Sequence, residues 1–117
     1  MGNVSLNFQK YQNEDMAISV ITYGELIFGA EKSQNKIKNL QTAEKIANIF
    51  PMINISPNIM ECFGKLKARL QKQGITIDDF DLLIGATAIT ENAILVTHNT
   101  KHFCNIPNIQ LADLFVE

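Results

Sequence analysis

Apolar residues change their spacing several times along the chain, and each change predicts an element. Met16 to Thr22 (Met-Ala-Ile-Ser-Val-Ile-Thr) is short, rich in β-branched side chains and apolar on both faces. That pattern fits an interior strand of a sheet covered on both sides. Thr22-Tyr23-Gly24-Glu25 then matches a capping box, which places a helix start at Thr22, with Leu26, Ile27 and Ala30 on the apolar side. From Ser33 to Phe50, Ile37, Leu40, Ala43, Ala47 and Phe50 recur at three- and four-residue intervals between charged positions, as in an amphipathic helix.

Met52 to Ile55 predicts a brief strand, and Ser56-Pro57 supplies a helix cap followed by a first-turn proline. Ile59, Phe63, Leu66 and Leu70 form the stripe of that helix, and Gly74 is its expected stop. Phe80 to Thr90 is almost wholly apolar or small apart from Asp81, which marks a deeply buried helix. Ala93 to Thr97 is a second buried strand and Ile109 to Leu111 a last edge strand, whereas polar Met1 to Asp15 reads as a weak helical tail. Strands alternating with helices make an α/β domain with a mostly parallel sheet, in which ligands gather beyond the carboxyl ends of the strands.

The chain has 117 residues, 46% of them hydrophobic, so one domain is expected over residues 1–117. At that length folding buries roughly 65% of the unfolded chain's surface, enough for a core without disulfides or structural metal. Cys62 and Cys104 lie far apart, with no second thiol at a metal-ligand spacing, and are expected to be small buried thiols in a reducing cytosol. No apolar run approaches the roughly 18 residues of a membrane span, and Met1 to Lys10 lacks a secretory signal pattern, so a cytoplasmic location is expected. A net charge of −2 argues against gripping nucleic acid by bulk electrostatics, although a local basic patch can still guide a polyanion.

Candidate chemistry gathers around the ends of the predicted strands. Glu25 follows the first, Asp78, Asp79 and Asp81 precede the most apolar helix, and Asn99 follows the second strong strand. Carboxylate and amide oxygens are hard ligands suited to Mg²⁺ or Mn²⁺, and an ion so held can orient a phosphodiester and activate water. Each acid also has a purely structural reading: Glu25 completes the capping box, and Asp78 and Asp81 complement a helix dipole. Asp81 is the more informative, because an acid opening an apolar helix needs a partner. His98 and His102 share an i, i+4 spacing but sit in an expected loop, which disfavours zinc. Lys65, Lys67, Arg69 and Lys72 form a basic strip, either the solvated side of an amphipathic helix or a phosphate-facing one. No phosphate-binding glycine loop, Gly-x-Ser-x-Gly elbow or Cys-x-x-Cys pair is present.

Four segments in order, Ala17 to Leu26, Tyr23 to Ser33, Gly74 to Ile84 and Leu95 to Phe103, resemble a PIN domain of the VapC type, the ribonuclease toxin of type II toxin-antitoxin systems. The resemblance implies a three-layer α/β fold with a mostly parallel sheet flanked by helices, and a Mg²⁺-dependent endoribonuclease, with Mn²⁺ as a substitute. It carries Glu25 and Asp81 onto two metal-binding acidic positions and sets Thr97 and Asn99 beside the same pocket. It also implies an RNA substrate, a VapB-type antitoxin and a homodimer, with no membrane association.

Two departures from the family pattern bear on activity. The family begins with a strand carrying Asp-Thr-Asn, whereas this sequence starts in what resembles the following helix, so the domain is expected to be N-terminally truncated, lacking that strand and part of the first helix. His102 stands where many relatives have an acid before the phenylalanine. Fewer carboxylates imply weaker ion binding and reduced or absent cleavage. The competing function is a catalytically silent antitoxin-binding or dimerisation module that works through apolar helix faces.

Overall fold

A computed structural model of the chain describes residues 16–97 and 100–113, and the expectations for the first fifteen residues lie outside them. The first strand, β1 (Met16–Ser19), leads directly into helix α1 (Val20–Glu31), which is followed by α2 (Lys36–Ile49) and the short strand β2 (Met52–Ile53). Helices α3 (Pro57–Lys72) and α4 (Asp79–Glu91) come next, then β3 (Ile94–Thr97), a 3₁₀ turn (Thr100–Phe103) and β4 (Gln110–Asp113). The strands form one parallel sheet in the order β2-β1-β3-β4, and β4 at its edge overlaps the expected Ile109–Leu111 strand at Gln110 and Leu111 and runs on to Asp113.

Side-chain alternation along the strands divides the core in two. Ala17 and Leu95 face α3 and α4, where they meet Leu66, Leu70, Leu82, Ile84 and Ala88, together with Phe103 and Ile106. Ile18, Ile94, Val96 and Ala112 face the opposite side, against Leu26 of α1 and Ala43 and Ile46 of α2. A sheet covered on both faces has no use for alternating polar positions, which explains the unbroken apolar runs of its strands. No helix among the described residues is long and apolar enough to cross a membrane.

The start of the first helix departs from expectation. Strand β1 ends at Ser19, whose hydroxyl accepts a hydrogen bond from the Ile21 N–H at 3.1 Å and caps α1, so the cap lies three residues before Thr22 and the helix begins at Val20. Pairing decides this boundary: the last β1–β2 pair is Ser19 with Ile53, beyond which the β-branched Val20 and Ile21 have no neighbouring strand to hold them extended. Elsewhere the local signals hold. Ser56 accepts from the Ile59 N–H at 3.2 Å, and Gly74 takes a left-handed φ of 73° while the Ile75 N–H closes back on the Leu70 carbonyl. The cysteines do not follow expectation: Cys62 is half-buried and Cys104 exposed, because Phe103 takes the buried position in the 3₁₀ turn.

Helix α4 is buried nearly all round, from Leu82 through Ala88, and its Gly85 lies directly under Ile106. A Cβ at Gly85 would stand 2.8 Å from Ile106 Cδ1. Gly85→Ala gains about 1 kcal/mol of helix propensity but incurs an overpacking cost of roughly 1–3 kcal/mol. We expect a net loss of about 1 kcal/mol in urea unfolding. In an Ile106→Val background, which removes the clashing methyl, the same change should become neutral or stabilising.

Candidate functional site

Parallel pairing of β1 with β3 sets their carboxyl ends side by side, and the candidate acids hang from the helices at that edge. Glu25 lies in the second turn of α1, which starts where β1 stops. Asp81 lies in the first turn of α4, whose far end returns to β3 through Asn92, in the left-handed conformation, and Ala93. Helix α4 therefore runs against the strands and brings its N-terminus to their carboxyl end, where α1 and α4 touch. Both Glu25 and Asp81 are half-buried.

The structure separates the acids by role. Asp78 is the N-cap of α4, its carboxylate accepting from the Phe80 N–H at 3.1 Å. Asp79 is exposed and forms a 2.9 Å ion pair with Lys67 of α3. Solvent screens that pair to a few tenths of a kcal/mol, so it orients the helices more than it stabilises them. Glu25 is not the acid of a capping box at Ser19, because that motif needs the acid three residues beyond the cap and Glu25 is six beyond it. Asp81, three residues after the Asp78 cap, has the favourable electrostatics of a helix N-terminus.

Thr22 changes meaning in the same way. It lies inside the helix, 0% exposed, and among the described residues its hydroxyl has no hydrogen-bond partner. A buried hydroxyl left unpaired costs about 1–3 kcal/mol, and such groups are usually met by ordered water or a bound ion. The signal was available, since Thr22, Leu26 and Ala30 fall at four-residue intervals and so share one helix face. Thr97, the last residue of β3, is buried, while His98 and Asn99 lie outside the described residues.

Among the described residues no group of three or more His, Cys, Asp or Glu side chains could hold a metal ion. Glu25 and Asp81, each half-buried on its own helix, carry hard oxygen donors. Such carboxylates suit an ion that keeps much of its water and takes one or two protein ligands, with the remaining positions left to water and substrate phosphate, and not a closed zinc cage.

A parallel sheet with acids at its carboxyl edge and helices on both faces is the architecture of a nuclease-like α/β domain, and the PIN domain family model matches residues 5–109. The chain belongs to that family, within its VapC branch. It is 38% identical over 100 residues to Ribonuclease VapC2 of Rickettsia felis, covering 86% of this chain and 75% of that protein. It is 36% identical to Ribonuclease VapC1 of Haemophilus influenzae, covering 90% of this chain and 78% of the relative. The crystal structure of VapBC2 from Rickettsia felis bound to a promoter DNA fragment superposes with a TM-score of 0.75 at 37% identity, covering 88% of this chain and 77% of that one.

The division of labour among the acids can be measured as stability. Asp78→Ala should cost about 1 kcal/mol in urea unfolding, the usual loss for a helix cap. Asp79→Asn should stay within about 0.5 kcal/mol, as expected for an exposed pair. A large loss from Asp79→Asn would reverse the assignment.

Proposed function

We propose that this chain is a divalent-metal-dependent endoribonuclease, the toxin of a toxin-antitoxin pair, in which Glu25 and Asp81 are the metal ligands and Asn99 is a further catalytic residue. The observation that supports it most is the PIN domain match over residues 5–109, with Glu25 and Asp81 half-buried on the two helices whose starts share the carboxyl edge of the sheet. The names of the relatives, Ribonuclease VapC2 and Ribonuclease VapC1, support the reaction class.

Bound at this site, Mg²⁺ or Mn²⁺ would polarise a phosphoryl oxygen and lower the pKa of a water molecule. Glu25 and Asp81 supply the negative charge that draws the cation in. The first turn of α4 adds partly free backbone N–H groups, which favour anions. Asp78 fixes where that turn starts, and thereby where Asp81 sits. The Asn99 amide can donate a hydrogen bond to a phosphate oxygen, a role no carboxylate could fill.

The partners follow from the same kinship: a VapB-type antitoxin, as in the solved VapBC complex of the Rickettsia relative, and a second copy of the chain. Phe28 of α1 and Ile37 of α2, 66% and 74% exposed, are apolar side chains of the kind such interfaces cover.

The test incubates RNA with the chain, with Asp81→Asn and with Glu25→Gln, each in Mg²⁺ and in chelator. Cleavage should require metal, and either substitution should lower it by more than the roughly 10–100-fold that loss of a ligand's supporting partner costs. Equal background cleavage in every sample, alongside tight antitoxin binding, would replace the enzyme with a binding module.

A further inference from the structure

Helix α3 carries four cations, and the structure treats one of them differently. Lys67 is bound to Asp79 at 2.9 Å and lies 5.8 Å from the Phe63 ring centroid, on the side where α3 meets the start of α4. Lys65, Arg69 and Lys72 form no salt bridge among the described residues. At 100° per residue these three fall within an arc of about 60° and span about 10 Å along the helix, a positive stripe. The dipole of α3 accounts for Arg69 and Lys72 in its last turn, but not for Lys65 near its middle.

The stripe borders a depression. Lys65 and Arg69, with Asn58, Glu61, Cys62 and Ile89, line a groove of about 600 Å³ between α3 and the closing turns of α4. Arg69 also lines the neighbouring hollow with Cys104, Asn105 and Pro107, so the open surface continues past the helix. Ile89 lies eight residues beyond Asp81 on the same helix, about 12 Å along its axis, a distance of a few nucleotides at most.

From this geometry we infer that the groove along α3 is a track for the sugar-phosphate backbone of single-stranded RNA, with Lys65, Arg69 and Lys72 holding successive phosphates. The inference deepens the ribonuclease reading and rests on it. Charge complementarity selects the occupant. A chain of net charge −2 with carboxylates at its reactive edge repels a polyanion, and a concentrated, unneutralised stripe nearby supplies the compensating attraction. Arg69 can grip a phosphate through two parallel N–H bonds, whereas the lysines act as mobile point charges. Glu61, the carboxylate lining the groove among the described residues, lies one turn before Lys65, where it would suit the amino groups of bases better than phosphates.

The test measures binding of a labelled oligouridylate in chelator over a salt series, for the chain, for Lys65→Gln/Arg69→Gln/Lys72→Gln, and for a control, Lys36→Gln/Lys38→Gln/Lys45→Gln on α2. Three lost phosphate contacts should flatten the slope of log affinity against log salt by about 2, while the control keeps its slope. Urea unfolding of the triple variant checks that it is folded. An unchanged slope in a folded triple variant overturns the track, and if the chain still cuts RNA with metal the ribonuclease reading survives. A flattened slope in a chain that cuts nothing upholds the track and removes the ribonuclease. Polyglutamate that binds with the same slope and the same loss overturns RNA as the occupant in favour of an acidic protein segment.

Discussion

The pairing of β1 with β3 is the contact on which the other arrangements depend. It consists of two registered pairs, Met16 with Ile94 and Ala17 with Leu95, whereas β3 and β4 share four. Yet it joins the β2-β1 half of the sheet to the β3-β4 half, and both of its strands pack against α3 and α4 on one face and α1 and α2 on the other. Because the pairing is parallel, both strands end at the same edge, and the helix that leaves β1 meets the helix that enters β3. Strand direction thus sets the start of α1 and the start of α4 at the same edge of the sheet.

Much of this was legible in the chain. Unbroken apolar runs at Met16 and Ala93 announce strands buried on both faces, and Ser56-Pro57 and Gly74 bracket α3, because caps and left-handed turns are decided by a few adjacent residues. The start of α1 was not legible in the same way. Val20-Ile21-Thr22 favours a strand locally and becomes helix because the neighbouring strand β2 stops at Ile53. That tertiary fact changes the functional reading, since it moves the cap to Ser19, turns Thr22 into a buried hydroxyl, and takes Glu25 out of the expected capping box.

The exposure of the cysteines and the pairing of Lys67 were equally out of reach. Cys62 sits at the border of an amphipathic stripe, where one position more or less of helix rotation decides between core and groove. Lys67 and Asp79 are twelve residues apart and meet only because α3 and α4 pack side by side. A strip of four basic residues looks uniform in sequence, and only this packing divides it into one neutralised cation and three available ones.

That division gives the molecule an electrical asymmetry its net charge conceals. Negative charge is concentrated at the carboxyl edge, where Glu25, Asp78, Asp79 and Asp81 crowd the starts of the helices, and positive charge lies along the flank of α3. Lys67 stands between the two, and its pairing with Asp79 removes one charge from each. Were Lys67 free, the positive stripe would wrap around the helix. Were Asp79 free, the acidic edge would extend toward the groove and oppose any polyanion approaching along it. An exposed pair that contributes little to stability therefore sharpens the boundary between the surface that attracts a phosphate backbone and the edge that gathers a cation.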